Sequence, residues 1–473
     1  MDRRSDSGNG NRPSDAAAAA DKGPLEKVLS VFADVRRGEA ATALLLALNV
    51  FILLSAYYLL KVTREPLILQ SGAALKVYAS AVMAVLLVPL LKGFELISER
   101  VDRIKLIATT TAFFVVCLLA FSTLVGANVA IGFPFFIWVG IFNTFVIAQF
   151  WAFATDIYTE RQGRRLFPIV AIGSAAGAIA GSKFAGVFFD PHHLGRLMLV
   201  AAALLVVSLG LTFFVHRRED AASTAQEGPR PSRESIGKGG GFRMMMKDKY
   251  LVLIAILAIV YNCVNTIGEY VLDRGIIAAA HGSAAQISAF QAQFRSNFFT
   301  VVNIAGLALQ LFAVSRVLKY LGVRIALFVM PVISLLGYSS IAVFASLGVM
   351  FWAKAAENSA DYSIQNTTRQ ALFLITRRDV KYKVKALIDT FFVRLGDVVA
   401  AILVWLGSGP LHLATRGFVL MNIVLVVSWL FIAWRLGRVY GERSEEPRDS
   451  RNPAAPAAAR PASSIGGPAT ART

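Results

Sequence analysis

One otherwise apolar segment carries acids and amides at helical spacing. Asn262, Asn265, Glu269 and Asp273 recur at positions i, i+3, i+7 and i+11, so a helix places all four on one face. Ionisable groups are costly in lipid and usually face a pathway or a partner. The stripe therefore predicts the wall of a wet cavity. Hydrogen bonding between helices is the alternative, and it fits the two asparagines better than the two acids.

A second group of charges follows an apolar run near the start of the chain. Lys61 and Glu65 lie four residues apart, with Arg64 beside Glu65, so all three lie at one end of a helix. One interpretation is a binding contact for an anion at an outer gate. The other is an interfacial anchor, because a long basic side chain can reach water from inside a membrane.

Arg295 stands one or two turns inside a further apolar segment. A buried guanidinium needs an acid or an anionic ligand, and Glu269 is the expected partner. The pair could be structural or could open with a gate.

Two later segments have the same mixed character, and we expect their charges to line or gate the cavity. They carry Lys354, Glu357, Asp361 and Arg369 in the first, and Asp389, Arg394 and Asp397 in the second. Arg394 and Asp397 are also spaced to pair with each other. Arg369 joins Lys61, Arg64, Glu65, Glu269, Asp273 and Arg295 as a candidate substrate-binding residue.

Enzymatic chemistry has little support in these patterns. The apolar segments hold no paired nucleophile and base, no histidines at metal-ligand spacing and no GxxxxGK[ST] phosphate-binding loop. We expect no catalytic residues, no metal site and no cofactor.

The elements that must position these residues are transmembrane helices. Of the 473 residues, 56% are apolar and only 16% are charged, against roughly 25% charged in soluble domains. The mean hydropathy is +0.58, and apolar runs long enough to cross a bilayer recur along the chain. The sequence predicts an all-α membrane protein of about 12 transmembrane helices in two six-helix bundles.

The predicted order is a disordered N-terminus, a six-helix bundle, a polar linker, a second six-helix bundle and a disordered tail. Their predicted ranges are residues 1–40, 41–216, 217–247, 248–437 and 438–473. The net charge of +18 comes largely from Lys and Arg in one set of alternate short loops. That bias marks cytoplasmic loops, so it predicts both termini in the cytoplasm and lipid rather than nucleic acid as the partner.

Five segments together resemble the ATP/ADP translocases, the nucleotide transporters of intracellular bacteria and plastids, a distant branch of the major facilitator superfamily. The segments are residues 57–65 (YYLLKVTRE), 150–154 (FWAFA), 265–269 (NTIGE), 359–363 (SADYS) and 383–389 (KVKALID). They keep the family's order and cover nearly the whole predicted membrane region.

The resemblance implies exchange of nucleotides across the cell (inner) membrane and carries three charged positions onto this chain. The first-span lysine of the family falls on Arg64, its seventh-span glutamate on Glu269 and a later lysine near Arg369. Two positions depart from the family. Its fourth-span acid falls near the apolar Val139, and a lysine is replaced by Asp361. A reversed charge changes which anions a cavity tolerates.

The leading hypothesis is therefore a secondary transporter, an antiporter of ATP/ADP-like nucleotides. The alternatives are a carrier of another anionic metabolite, with Asp361, Asp389 or Asp156 as proton sites, and a transporter-derived membrane sensor or scaffold. We expect the substrate to be an anionic small molecule, with nucleotides as the first candidate.

Overall fold

A computed structural model describes residues 39–98, 100–223, 241–376 and 378–445. These ranges form helices and connecting turns, with no β-strand among them. The predicted all-α class is confirmed, and twelve long helical segments account for nearly all of the described chain.

The first six segments follow one another along the chain with short intervals between them. They are α1 (Glu39–Leu69), α2 (Ala73–Ser98), α3 (Arg103–Gly126), α4 (Gly132–Ile157), α5 (Glu160–Val187) and α6 (Leu194–Ser223). A short helix, Gly241–Met246, precedes the second six.

The second six include three segments interrupted by a π-helical turn. They are α7 (Lys249–Ala279), α8 (Ala284–Phe312), α9 (Val314–Phe344), α10 (residues 347–372), α11 (residues 378–408) and α12 (Thr415–Glu445). The π turns are Val317–Leu321 in α9, Asp361–Gln365 in α10 and Ile388–Phe392 in α11. Such turns often occur at functional sites.

Nine of the described helices are long and apolar enough to cross a membrane. The other three segments, α8, α10 and α11, carry Arg295, Lys354 and Arg394 among other polar residues. Many large apolar side chains face outwards, Val116 and Val343 among them. Apolar side chains turned outwards from long helices suit a lipid environment.

Local sequence sets several helix ends. Thr159 with Gln162, and Ser283 with Gln286, form capping boxes that start α5 and α8, satisfying amide groups that the first helical turn leaves free. Asp248 accepts from the Tyr250 amide at the start of α7.

Small residues allow α1 and α5 to pack closely. Gly173, Gly177 and Gly181 share one face of α5, and a Cβ at any of them would meet the α1 backbone at Ala47, Phe51 or Ser55. Close helix packing through small residues at four-residue spacing is common in membranes.

The two groups of six pack mostly within themselves and meet mainly along four pairs of helices. The cross-bundle pairs are α5 with α8, α2 with α11, α1 with α8 and α2 with α7. Ser296 donates to the Ser182 carbonyl oxygen at 2.7 Å and Gln70 to Ser288 at 3.3 Å. We call the end of the molecule at which α1 and α7 terminate the Leu69 end.

Two helices continue beyond their predicted bounds, α6 to Ser223 and α12 to Glu445. The remainder of the predicted N-terminus, linker and tail, residues 1–38, 224–240 and 446–473, lies outside the described residues. The predicted segment ranges stay predictions there.

Candidate functional site

A cavity of about 220 Å³ lies between the two bundles. Helices α1, α2, α4, α7, α8, α10 and α11 contribute to its wall. The four residues of the predicted polar stripe, Asn262, Asn265, Glu269 and Asp273, all line it. A smaller cavity of about 20 Å³ inside the first bundle has no charged lining residue.

Five charged side chains meet at the Leu69 end of this cavity, and we call them the five-charge cluster: Glu65, Lys76, Glu269, Asp273 and Arg295. Lys76 Nζ lies 2.6 Å from Glu65 Oε2, 3.0 Å from Asp273 Oδ2 and 3.9 Å from Glu269 Oε2. Arg295 Nε lies 3.3 Å from Glu65 Oε2, and its Nη1 lies 3.0 Å from Glu269 Oε2. Arg295 Nη2 donates to Asp273.

The five-charge cluster is largely buried and joins the bundles, with Glu269 22% exposed. Arg295, Asp273 and Glu65 are at most 1% exposed. Buried charges persist only when paired and hydrogen-bonded, and here each cation contacts acids from both bundles. The expected contact between Arg295 and Glu269 is present, within a larger set that holds the Leu69 end together.

Lys61 sits in the cavity among aromatic rings. Its Nζ lies 4.2 Å from the Phe299 ring centroid, 5.0 Å from that of Tyr58 and 3.5 Å from the Tyr362 hydroxyl oxygen. Among the residues that the structure describes, no carboxylate oxygen lies within 4 Å of this ammonium. A ring face attracts the cation but leaves its charge unneutralised, so an anion entering the cavity would find Lys61 free to pair.

Arg64 lies on the same wall, against the Phe136 ring, with its guanidinium carbon 4.2 Å from the ring centroid. Its Nε lies 3.5 Å from Glu65 Oε1, but Glu65 is already held by Lys76 and Arg295. Arg64 Nε has no hydrogen-bond partner among the described residues. The guanidinium therefore retains donors for a ligand.

The opposite wall, from the second bundle, holds acids. Asp397 Oδ1 accepts from Asn262 Nδ2 and Thr266 Oγ1, both at 2.8 Å. Arg394 Nη1 lies 3.4 Å from Asp397 Oδ2, as their spacing suggested. This pair lines the cavity on α11.

Asp361 also lines the cavity and begins the π turn of α10. Its carboxylate makes no hydrogen bond or ion pair to any described residue, and Arg369 and Lys354 act on it only from beyond ion-pair distance. The next residue, Tyr362, contacts Lys61 of α1, so this part of α10 lies opposite Lys61.

Besides Arg295, which lies directly behind the cavity wall, four predicted residues lie away from it. Lys354 and Glu357 are buried inside the second bundle, 3.0 Å apart, where Tyr338 donates to Glu357 at 2.7 Å and Lys354 donates to the Asn265 side chain at 2.7 Å. Both were expected to line the cavity. The structure pairs them with neighbours on α7 and α9 instead.

Arg369 and Asp389 form a separate group nearer the other end of the molecule. Arg369 Nη1 donates to the Tyr261 hydroxyl oxygen at 2.6 Å, and its Nη2 lies 3.8 Å from Asp389 Oδ1. Lys385 Nζ lies 3.0 Å from Asp389 Oδ2. Neither Arg369 nor Asp389 is part of the described cavity wall.

Three site residues were not found from the sequence. Lys76 stands only three residues after the start of α2, where a lysine is expected to reach water beyond the membrane. Phe299 and Tyr362 lack a distinguishing pattern, because apolar and aromatic residues fill every span. An acid on α1 in need of a buried partner was the one available signal for Lys76.

The family model described as TLC ATP/ADP transporter matches residues 135–354. This confirms the resemblance drawn from the sequence motifs. The matched range runs from α4 through the first part of α10 and includes Glu269, Asp273 and Arg295.

Similar proteins named as ADP,ATP carriers occur in plastids and bacteria. The chain is 23% identical over 349 residues to ADP,ATP carrier protein 1, chloroplastic, of Arabidopsis thaliana, covering 66% of this chain and 55% of that protein. It is 20% identical over 355 residues to ADP,ATP carrier protein 1 of Chlamydia pneumoniae, covering 65% and 67%. The match thus spans about half the length of the plastid relative.

Solved transporter structures share the fold. The nucleoside transporter NupG aligns with a TM-score of 0.60 at 12% identity, covering 86% of this chain and all of that one. A bacterial homologue of the lysosomal transporter Spinster, in an inward-facing state, aligns with a TM-score of 0.57 at 12% identity, covering 87% and 100%. The predicted major facilitator-like architecture of a multi-pass membrane protein is confirmed.

Proposed function

Because this chain is related to the TLC ATP/ADP transporters, we propose that it is a secondary transporter that exchanges nucleotides across the cell membrane. The family match and the transporter fold support a carrier rather than an enzyme. The observation that carries the proposal is Lys61, a cation that lines the cavity between the bundles without a carboxylate partner.

The cavity has the features that an anionic nucleotide requires. Lys61 and Arg64 offer charge-assisted donors for phosphate oxygens, and both come from α1. Phe299, Tyr58 and Phe136 surround these cations, and ring faces of this kind suit a base or sugar. Glu269 contacts Arg295 and lies near Lys76, so a ligand phosphate could compete with it for cations.

The five-charge cluster suits the gate of an alternating-access carrier. In such carriers two bundles rock about a central site, and the cluster joins them only at the Leu69 end. We infer from the distribution of Lys and Arg that both termini are cytoplasmic and that the Leu69 end faces outwards. The described state is then closed to the outside. A bacterial inner membrane is the proposed location.

The test is exchange in proteoliposomes. Vesicles that contain the protein and unlabelled ADP should take up labelled ATP, and vesicles loaded with buffer alone should not. Lys61→Gln should lower uptake by about tenfold or more, since a charge-assisted hydrogen bond contributes roughly 1.5–3 kcal/mol.

Lys105→Gln is the matched control, because the Lys105 ammonium is largely exposed and pairs with Asp102 away from the cavity. Its uptake should equal that of the parent. No nucleotide-dependent uptake by the folded parent protein would overturn nucleotide exchange.

A further inference from the structure

The charges on the cavity wall are nearly balanced in number. Four cations and five carboxylates line it: Lys61, Arg64, Lys76 and Arg394, with Glu65, Glu269, Asp273, Asp361 and Asp397. Arg295 lies directly behind the wall and contacts three of these acids, which brings the two signs to equality. A wall with charges of both signs suits a ligand that itself carries both signs, because complementary potentials determine which ligands are tolerated.

Most of these charges already have partners. Lys76 and Arg295 share the three acids of the five-charge cluster, and Arg394 pairs with Asp397. Three charges are left without a full partner. Lys61 has only ring faces and a hydroxyl group, Arg64 shares Glu65 with two stronger contacts, and Asp361 has no described partner.

The unpartnered charges lie on opposite walls. Lys61 and Arg64 belong to α1 of the first bundle, and Asp361 belongs to α10 of the second. The contact of 3.5 Å between Lys61 Nζ and the Tyr362 hydroxyl oxygen brings these two helices together across the cavity. The first bundle thus presents spare positive charge and the second spare negative charge to one cavity.

A carboxylate without an ion pair is costly in such a cavity, because burial removes water while the cations that act on Asp361, Arg369 and Lys354, lie beyond ion-pair distance. A ligand that carries only negative charge would satisfy Lys61 and Arg64 but would leave Asp361 facing it. A ligand with a negative and a positive group would satisfy both walls at once. It would also span the two bundles, which is how a substrate favours a closed state around itself.

We propose that the cavity takes a bipolar organic phosphate, a phosphate ester that also carries a cationic amine. Lys61 and Arg64 hold the phosphate, and Asp361 accepts from the ammonium group. This assignment rests on the proposed transport through the same cavity, and it adds phosphate esters that bear a positive group to the nucleotides proposed above.

The test uses matched pairs of small ligands. Phosphoethanolamine and its longer-chain homologues are each compared with the alkyl phosphate of the same chain length, by calorimetry on the purified full chain. For at least one length the amine-bearing member should bind about tenfold more tightly, the factor that one additional charge-assisted hydrogen bond gives.

Two variants test which residues cause the preference for the amine-bearing ligand. Asp361→Asn should bring both members of each pair to similar affinity, and Lys61→Gln should weaken both members together. Asp102→Asn is the matched control, because Asp102 is largely exposed and pairs with Lys105 outside the cavity wall, and it should keep the full preference. Size-exclusion profiles identical to that of the parent establish that each variant is folded.

Three outcomes would overturn the proposal that the cavity binds a bipolar phosphate. The first is a parent protein that binds both members of every pair with equal affinity. The others are an Asp361→Asn variant that still prefers the amine-bearing member, and one that binds both members more tightly than the parent by the same factor. The last would make Asp361 a source of repulsion or a proton site. Because these ligands are not nucleotides, the result is independent of the ATP exchange assay, and either proposal can fail alone.

Discussion

Lys76 Nζ lies 3.0 Å from Asp273 Oδ2, and this contact ties the first bundle to the second. Lys76 Nζ also lies 2.6 Å from Glu65 Oε2 of its own bundle, and Asp273 accepts a hydrogen bond from Arg295 of its own bundle. When the halves separate, each charge retains a partner on its own side. Opening therefore leaves no charge without an ion-pair partner. This avoids the main energetic cost of breaking a buried ion pair, which is an unpaired buried charge.

We predict that Lys76→Gln opens the Leu69 end more often, because it removes the cross-bundle attraction to Asp273. The opening can be measured by thiol labelling of Ser80→Cys, a cavity-lining position, in a background without Cys117 and Cys263. Labelling from the Leu69 side should accelerate about fivefold, the factor that ~1 kcal/mol gives.

Lys105→Gln in the same background is the control and should label at the parent rate. Equal labelling rates in the two variants would show that Lys76 does not hold the bundles together.

The fold was largely predictable because the bilayer restricts the choice of structure. Long apolar runs have to be helices in lipid, and turn-forming residues such as Asn128 separate them, so twelve segments could be placed. Helix ends were less certain. α12 continues to Glu445, because a helix can extend past the membrane into polar sequence without any break in the hydropathy pattern.

For the site, the sequence predicted only which charged residues share one face of a helix. Spacing placed Glu269 and Asp273 on one stripe, and the stripe does line the cavity. Spacing cannot identify which neighbour a face meets. Lys354 and Glu357 have the periodicity of cavity residues but face Asn265 and Tyr338 inside their own bundle, and the role of Lys76 depends on contacts across bundles.

We predict that Arg295→Gln strongly destabilises the protein. Arg295 is fully buried and contacts three carboxylates, so its loss leaves three acids with Lys76 as the remaining cation. Removing one partner of a buried ion pair typically costs about 3–5 kcal/mol. The midpoint of thermal unfolding in detergent measures the effect.

Arg295→Lys should fall between the parent and Arg295→Gln, because an ammonium cannot reach three acids from separate nitrogens. Arg196→Gln, an exposed residue at the start of α6, should leave the midpoint unchanged. A similar midpoint for Arg295→Gln and the parent would contradict a structural role for the five-charge cluster.

We predict that Lys354 and Glu357 stabilise the second bundle without binding substrate. Each single variant, Lys354→Met or Glu357→Met, leaves one buried charge unpaired and should lower the unfolding midpoint. The double variant should recover much of the loss, because an apolar pair can replace a buried ion pair at little cost.

Ligand affinity of the double variant should match that of the parent, measured by the same calorimetry as above. Affinity that falls by tenfold in a double variant of normal stability would place this pair in the binding site instead.

We predict that Gly177→Ala weakens the packing of α5 on α1. A Cβ at Gly177 would meet the backbone of Phe51, and backbone atoms cannot move aside as a side chain can. Inserting a methyl group into a closely packed contact typically costs about 1–3 kcal/mol, so the unfolding midpoint should fall.

Gly210→Ala is the matched control, since a Cβ there has no neighbour within 4 Å and alanine favours the helix. Its midpoint should equal or exceed that of the parent. An equal fall in the unfolding midpoint of both variants would mean that the effect comes from the helix backbone. It would contradict close packing between α1 and α5 at Gly177.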